Sequence, residues 1–128
     1  RIMLGTYVLS SGYVDKYYLK ALKVRTKIIE ELERVFKEVD ALICPVSPTP
    51  AFRLGEKSDD PLQMYLADVL TVSANISGIP GVSIPTGLSK DGLPLGFQLL
   101  GPKFSENNLF ELGKIFEKQA SYKPKTAI

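Results

Sequence analysis

Apolar positions along the chain fall first into helical spacing. Ile2, Leu4, Val8 and Leu9 predict a short helix over residues 1–10, stopped by Ser10-Ser11-Gly12. Tyr18, Leu22, Ile29, Leu32 and Phe36 then recur at steps of three and four with Lys and Glu opposite, which predicts one long helix over 13–38. Arg25 falls on that stripe, as a snorkelling side chain or one half of a structural ion pair. Residues 39–46 read as a short buried strand ended by Pro45, and Ser47-Pro48-Thr49-Pro50 must be extended. A polar loop leads to Asp60-Pro61, a good N-cap followed by a good first helical residue. From Leu62 the apolar residues run nearly all round a helix, through Met64, Tyr65, Leu66, Val69, Leu70 and Val72, so a buried helix is expected. Gly78-Ile79-Pro80-Gly81 ends it, Val82 to Pro85 reads as a strand, Lys90-Asp91-Gly92 as a turn and 95–100 as another strand. Ser105 can cap a last helix with Leu109, Leu112, Phe116 and Ala120 on its buried face; residues 121–128 form a polar tail.

This order predicts an α/β fold, helices packed on a mixed β-sheet. The strands at Leu42 and Val82 are joined through a helix and can run parallel. The strand at Leu95 follows a short turn and is expected to pair antiparallel with the one at Val82. Three strands make a thin sheet whose edges call for further strands. The chain also begins in mid-pattern at Arg1, and is expected to be the C-terminal piece of a longer protein, with 1–120 as its ordered part.

Composition narrows the classes. At 128 residues, 45% hydrophobic and 23% charged, the chain suits one soluble domain. A net charge of +2 argues for neither DNA nor an anionic membrane. No apolar run reaches the roughly 18 residues of a membrane span. The single cysteine, Cys44, excludes an internal disulfide and fits a reducing compartment such as the cytoplasm. With no histidine, neither a Ser-His-Asp nor a Cys-His apparatus lies in the chain, and Cys/His metal sites are excluded. Gly81-Val82-Ser83-Ile84-Pro85 narrowly misses a nucleophile elbow: Pro85 stands where that motif has Gly and no helix follows, so Ser83 reads as structural. Cys44, in an apolar strand without a basic neighbour in sequence, reads as an inert core thiol. Asp68 is the one charged residue between Asp60 and Lys90, and an isolated carboxylate in an apolar helix is costly unless paired. It therefore either binds something, pairs with a basic residue elsewhere, or faces outward.

The stretches RIMLGTYVLSSGYVDKYYLKALKVR, DALICPVSPTPAF, GEKSDDPLQMYLADVLTVSANISGIPGVSIPTG and GLPLGFQLLG resemble the C-terminal quarter of the amidase signature family, and within it the glutamine-hydrolysing subunits of tRNA-dependent amidotransferases. The resemblance runs to about Gln119. It implies a large α/β amidase domain whose Ser-cis-Ser-Lys triad lies upstream of these residues, so no catalytic residue is expected here. It implies that Asp68 contacts the α-ammonium of a glutamine substrate and Arg1 its α-carboxylate. It also implies partners in a heterotrimer. A B subunit uses ATP and magnesium to amidate Glu-tRNA(Gln) with the released ammonia, and a small C subunit wraps the glutaminase, which meets tRNA only through the complex. No cofactor or metal is expected on this segment. The alternatives are a stand-alone amidase of the same family, acting on a small amide, and a non-enzymatic interaction module.

Overall fold

The structure, a computed structural model, describes residues 2–10, 13–57, 59–120 and 122. Arg1 and all of the expected tail except Tyr122 lie outside the described residues. Helix α1 spans Ile2–Val8. The expected long helix is present but opens with a π-helical turn, Val14–Tyr18, before α2 proper at Leu19–Val35. Strand β1 is Leu42–Pro45, then come α3 at Pro61–Ala67 and α4 at Val72–Ser77. Strands β2 and β3 are Gly81–Leu88 and Pro94–Leu100, and α5 is Glu106–Ala120.

The fold is of the α/β class, and its sheet has the order β1-β3-β2. Strand β3 pairs antiparallel with both neighbours, Leu42 opposite Leu100 on one side and Gly81 opposite Leu100 on the other. Strands β1 and β2 therefore point the same way, as their helical connection allows, but β3 lies between them and they do not pair. The β2–β3 turn closes as expected: Ser89 Oγ accepts from the N–H groups of Asp91 and Leu93, and Gly92 takes the left-handed conformation, φ 77°, that a side chain would resist.

Side chains alternate across a strand, so the pairing sorts the residues into two faces. Phe97, Leu99, Val82 and Ile84 share one face. There Ile84, Leu99 and Leu109 form the buried core, with Phe97, Leu112 and Phe116 packed against it and Leu99 only 1% exposed. The Phe97 and Phe116 rings meet edge to face with centroids 5.2 Å apart, a favoured aromatic geometry. Helix α5 comes this close because residue 113 is glycine: a Cβ there would sit 2.8 Å from Ile84 Cδ1. The predicted face of α5 is right at Leu109, Leu112 and Phe116, but Ala120 is exposed, since the helix outruns the short sheet. Ser105 does not cap through its side chain as expected. Its hydroxyl donates to the Pro102 carbonyl at 2.7 Å, while its own carbonyl accepts from Leu109 N–H.

Two expectations for the 60–77 region are corrected. In place of one continuous helix the chain makes two, broken at Asp68–Thr71. Through the break the bonds are of the tighter i to i+3 kind, Asp68 N–H to Tyr65 and Thr71 N–H to Asp68. The Thr71 hydroxyl competes for the backbone there, donating to the Asp68 carbonyl at 3.1 Å. Nor is the helix buried. Instead α3 has no buried residue, and Leu62 and Leu66 are 65% and 51% exposed. Apolar spacing reports which side chains need cover, and the described residues place no layer over this helix. Its start is as predicted: Asp60 Oδ1 accepts from Leu62 and Gln63 N–H at 2.9 and 3.3 Å, with Pro61 following. We expect Asp60→Ala to cost about 1 kcal/mol of stability, read from the shift of a denaturant melt.

Among the described residues Arg25 has no ion-pair partner, and it does more than snorkel. Its Nε donates to the Ile76 carbonyl at 2.7 Å, placing a cation on the negative end of α4 and tying α2 to it.

Candidate functional site

The other face of the sheet carries the polar chemistry. Cys44, Gln98 and Ser83 lie side by side across β1, β3 and β2, since Gln98 is opposite Cys44 in one ladder and Ser83 in the other. An open groove of about 460 Å³ lies between this face and α4, lined among others by Thr71, Asn75, Gly78, Ser83 and Gln98. Gly78 ends α4 in the left-handed conformation, φ 69°, and turns the chain into β2. Asn75 Nδ2 is held by the Thr71 carbonyl at 2.9 Å. Gln98, 6% exposed, donates through Nε2 to the carbonyls of Pro45 and Leu70, both at 3.0 Å. A second depression of about 690 Å³ lies beyond Ser83, between the proline-rich 45–52 segment and the far ends of β2 and β3.

Asp68 stands at the helix break and is joined to the groove through Thr71, whose hydroxyl donates to Asp68 Oδ1 as well as to the Asp68 carbonyl. Its side chain is exposed among the described residues, so the expectation of a carboxylate buried within an apolar helix is corrected. The break decides it, because a residue at the end of α3 is released from the apolar cylinder on which spacing placed it. Arg1, the other expected substrate-binding residue, lies outside the described residues. Ser83 is exposed on strand β2, not at a strand-to-helix elbow. Cys44 is free and half-buried. Among the described residues no three of His, Cys, Asp and Glu converge on one point. None of their helices is long and apolar enough to cross a membrane. Away from the groove, a hydrogen bond with Tyr13 holds the Tyr7 hydroxyl above its ordinary pKa.

Sequence reasoning passed over Thr71 and Gln98. The available signal for Gln98 was a polar residue between Phe97 and Leu99 in a strand. Alternation places it on the face away from the apolar core, where a buried amide must find partners.

A carboxylate beside a groove of hydroxyls and amides suits a small polar ligand with a cationic group. The Amidase family model matches residues 1–110, and the chain belongs to that family. Within the family it is similar to the A subunit of the glutamyl-tRNA(Gln) amidotransferase of Geotalea daltonii, 54% identical over 99% of this chain and 26% of the relative. The solved A subunit of the Thermotoga maritima glutamyl-tRNA(Gln) amidotransferase superposes with a TM-score of 0.82 at 43% identity, over 97% of this chain and 27% of that one. A 6-aminohexanoate cyclic dimer hydrolase superposes at 0.65 with 25% identity, over 79% of this chain and 24% of that one. The chain thus spans about a quarter of the length of the curated relatives it matches.

Proposed function

We propose that this chain is part of the glutamine-hydrolysing subunit of a glutamyl-tRNA(Gln) amidotransferase. It supplies substrate binding and scaffold within one larger amidase domain. The observation that carries the reading is the 54% identity, over nearly the whole chain, to the Geotalea daltonii protein. Identity to the 6-aminohexanoate cyclic dimer hydrolase is 25%, which favours the amidotransferase over a stand-alone amidase.

In this reading glutamine is held by its two α-charges. Asp68 pairs with the α-ammonium, and Arg1 offers two parallel N–H donors to the α-carboxylate. The nucleophile and base are the family's serines and lysine, carried by the remaining three quarters of the protein. They cleave the side-chain amide and release ammonia. A partner B subunit uses ATP and magnesium to activate Glu-tRNA(Gln) and takes up that ammonia, and a C subunit completes a cytoplasmic heterotrimer. The free thiol of Cys44 fits a reducing compartment.

The test is a comparison of two preparations. The full-length protein, assembled with its partners, should convert Glu-tRNA(Gln) to Gln-tRNA(Gln) with glutamine as donor. The 128-residue chain alone should release no ammonia from glutamine. An assembled protein that hydrolyses simple amides but leaves glutamine intact would transfer the reading to the stand-alone amidases. Ammonia released by the chain alone, and lost on changing a serine within it, would overturn the placement of the nucleophile.

A further inference from the structure

We propose that Gln98 is a positioning residue for substrate binding: its amide fixes the Asp68–Thr71 turn against the sheet and so sets where the Asp68 carboxylate stands. The inference rests on the glutamine-binding reading of Asp68.

Gln98 lies on β3, the central strand and the best-anchored part of the sheet. Its Nε2 carries two N–H donors, and both are used, one on the Pro45 carbonyl at the end of β1 and one on the Leu70 carbonyl inside the turn. Leu70 is followed by Thr71, whose hydroxyl holds both the carbonyl and the carboxylate of Asp68. Two hydrogen bonds and the Leu70–Thr71 peptide bond between them thus connect the sheet to the carboxylate, through Gln98, Leu70 and Thr71. The turn needs such a tie. It joins helices of 7 and 6 residues, far below the length at which a helix holds itself in water. The preceding helix has no buried side chain to anchor it. Asp68 itself faces outward, so its position is inherited from the backbone beneath it. A buried amide that bonded two carbonyls only to stiffen the sheet would have no need to reach the turn.

The test uses the full-length assembled enzyme with Gln98→Glu and Gln98→Met. Glutamate keeps the shape but turns oxygens toward two carbonyls; methionine keeps the length and offers no donor. We expect the KM for glutamine to rise about tenfold or more, with kcat changing less, because a buried acceptor left unpaired frees the turn. Amidation with ammonium should be retained, and hydrogen exchange at the amides of residues 69–71 should quicken. In an Asp68→Asn background the same substitutions should add little, since Gln98 acts through Asp68. An unchanged KM in both variants, equal loss with glutamine and ammonium, or full additivity with Asp68→Asn would each overturn the proposal. So would failure of both variants to assemble, which would make Gln98 a support of the whole fold. If Asp68→Asn alone leaves glutamine use intact while Gln98→Met still quickens exchange at 69–71, the substrate reading fails and the tie itself stands.

Discussion

Asp68→Asn, introduced into the full-length assembled enzyme, should cut amidation from glutamine by about 100-fold or more while amidation from ammonium persists. Asparagine keeps the size of the side chain and can still accept from Thr71, so the turn is preserved. What disappears is the charge, and with it, in the proposed reading, the attraction for an α-ammonium group. Hydrogen bonds to charged groups are about twice as strong as neutral ones, and a site built around a charge discriminates more sharply than an apolar pocket can. If the chain is part of the proposed glutaminase, the loss should appear in kcat/KM for glutamine and leave the proposed partner's chemistry untouched, because ammonium would bypass glutamine hydrolysis. The measurement is a paired assay with the two nitrogen donors on folded complex. Equal loss with both donors would make Asp68 structural. Unimpaired use of glutamine would remove it from the site.

The second large effect concerns the isolated chain. Leu62, Met64, Tyr65, Leu66 and Val69 are exposed together on α3 and at its end. Contiguous apolar patches beyond a few hundred Å² drive association. The 128-residue chain on its own should therefore sediment as a dimer or larger species and bind a hydrophobic dye. Leu62→Lys with Leu66→Glu, one turn apart on the same face, should return it to a monomer without loss of helix. If α3 packs within the larger amidase domain proposed above, the same pair placed in the full-length protein should lower its melting temperature by several degrees. A monomeric wild-type chain with a sharp reversible melt would show that α3 needs no cover.

Much of the fold was legible in local signals. Asp60-Pro61 started α3 where capping chemistry requires, Gly78 ended α4, Ser89 to Gly92 closed the hairpin, and the period of α5 placed Leu109 and Phe116 inward. Each of these is decided within a few residues, by dihedral preference or by a side chain bonding the nearest backbone. The helix break was not legible. Apolar spacing continues across Asp68–Thr71; the i to i+3 backbone bonds there, with those of the Thr71 hydroxyl to Asp68 and of Gln98 to Leu70, show the chain leaving the helix. Arg25 likewise stood out as a charge on an apolar stripe, but its partner, the Ile76 carbonyl, lies 51 residues away in sequence.

Local signals along the chain were enough for the α/β class, the antiparallel β2–β3 hairpin and, through the motifs, the resemblance to amidases. The sequence also singled out Asp68, because one charge in a long neutral stretch is visible without coordinates. The tertiary structure decided what surrounds that charge. It inserted β3 between β1 and β2, left α3 uncovered, and turned Asp68 outward at a break. Strand order and exposure depend on contacts between residues distant in the chain, whose free energies are comparable for several pairings until the whole core has formed. Gln98 belongs to the same class of fact. Its two carbonyl partners lie 53 and 28 residues away, so its importance could only be read once β1, β3 and the Asp68–Thr71 turn had been brought to one place.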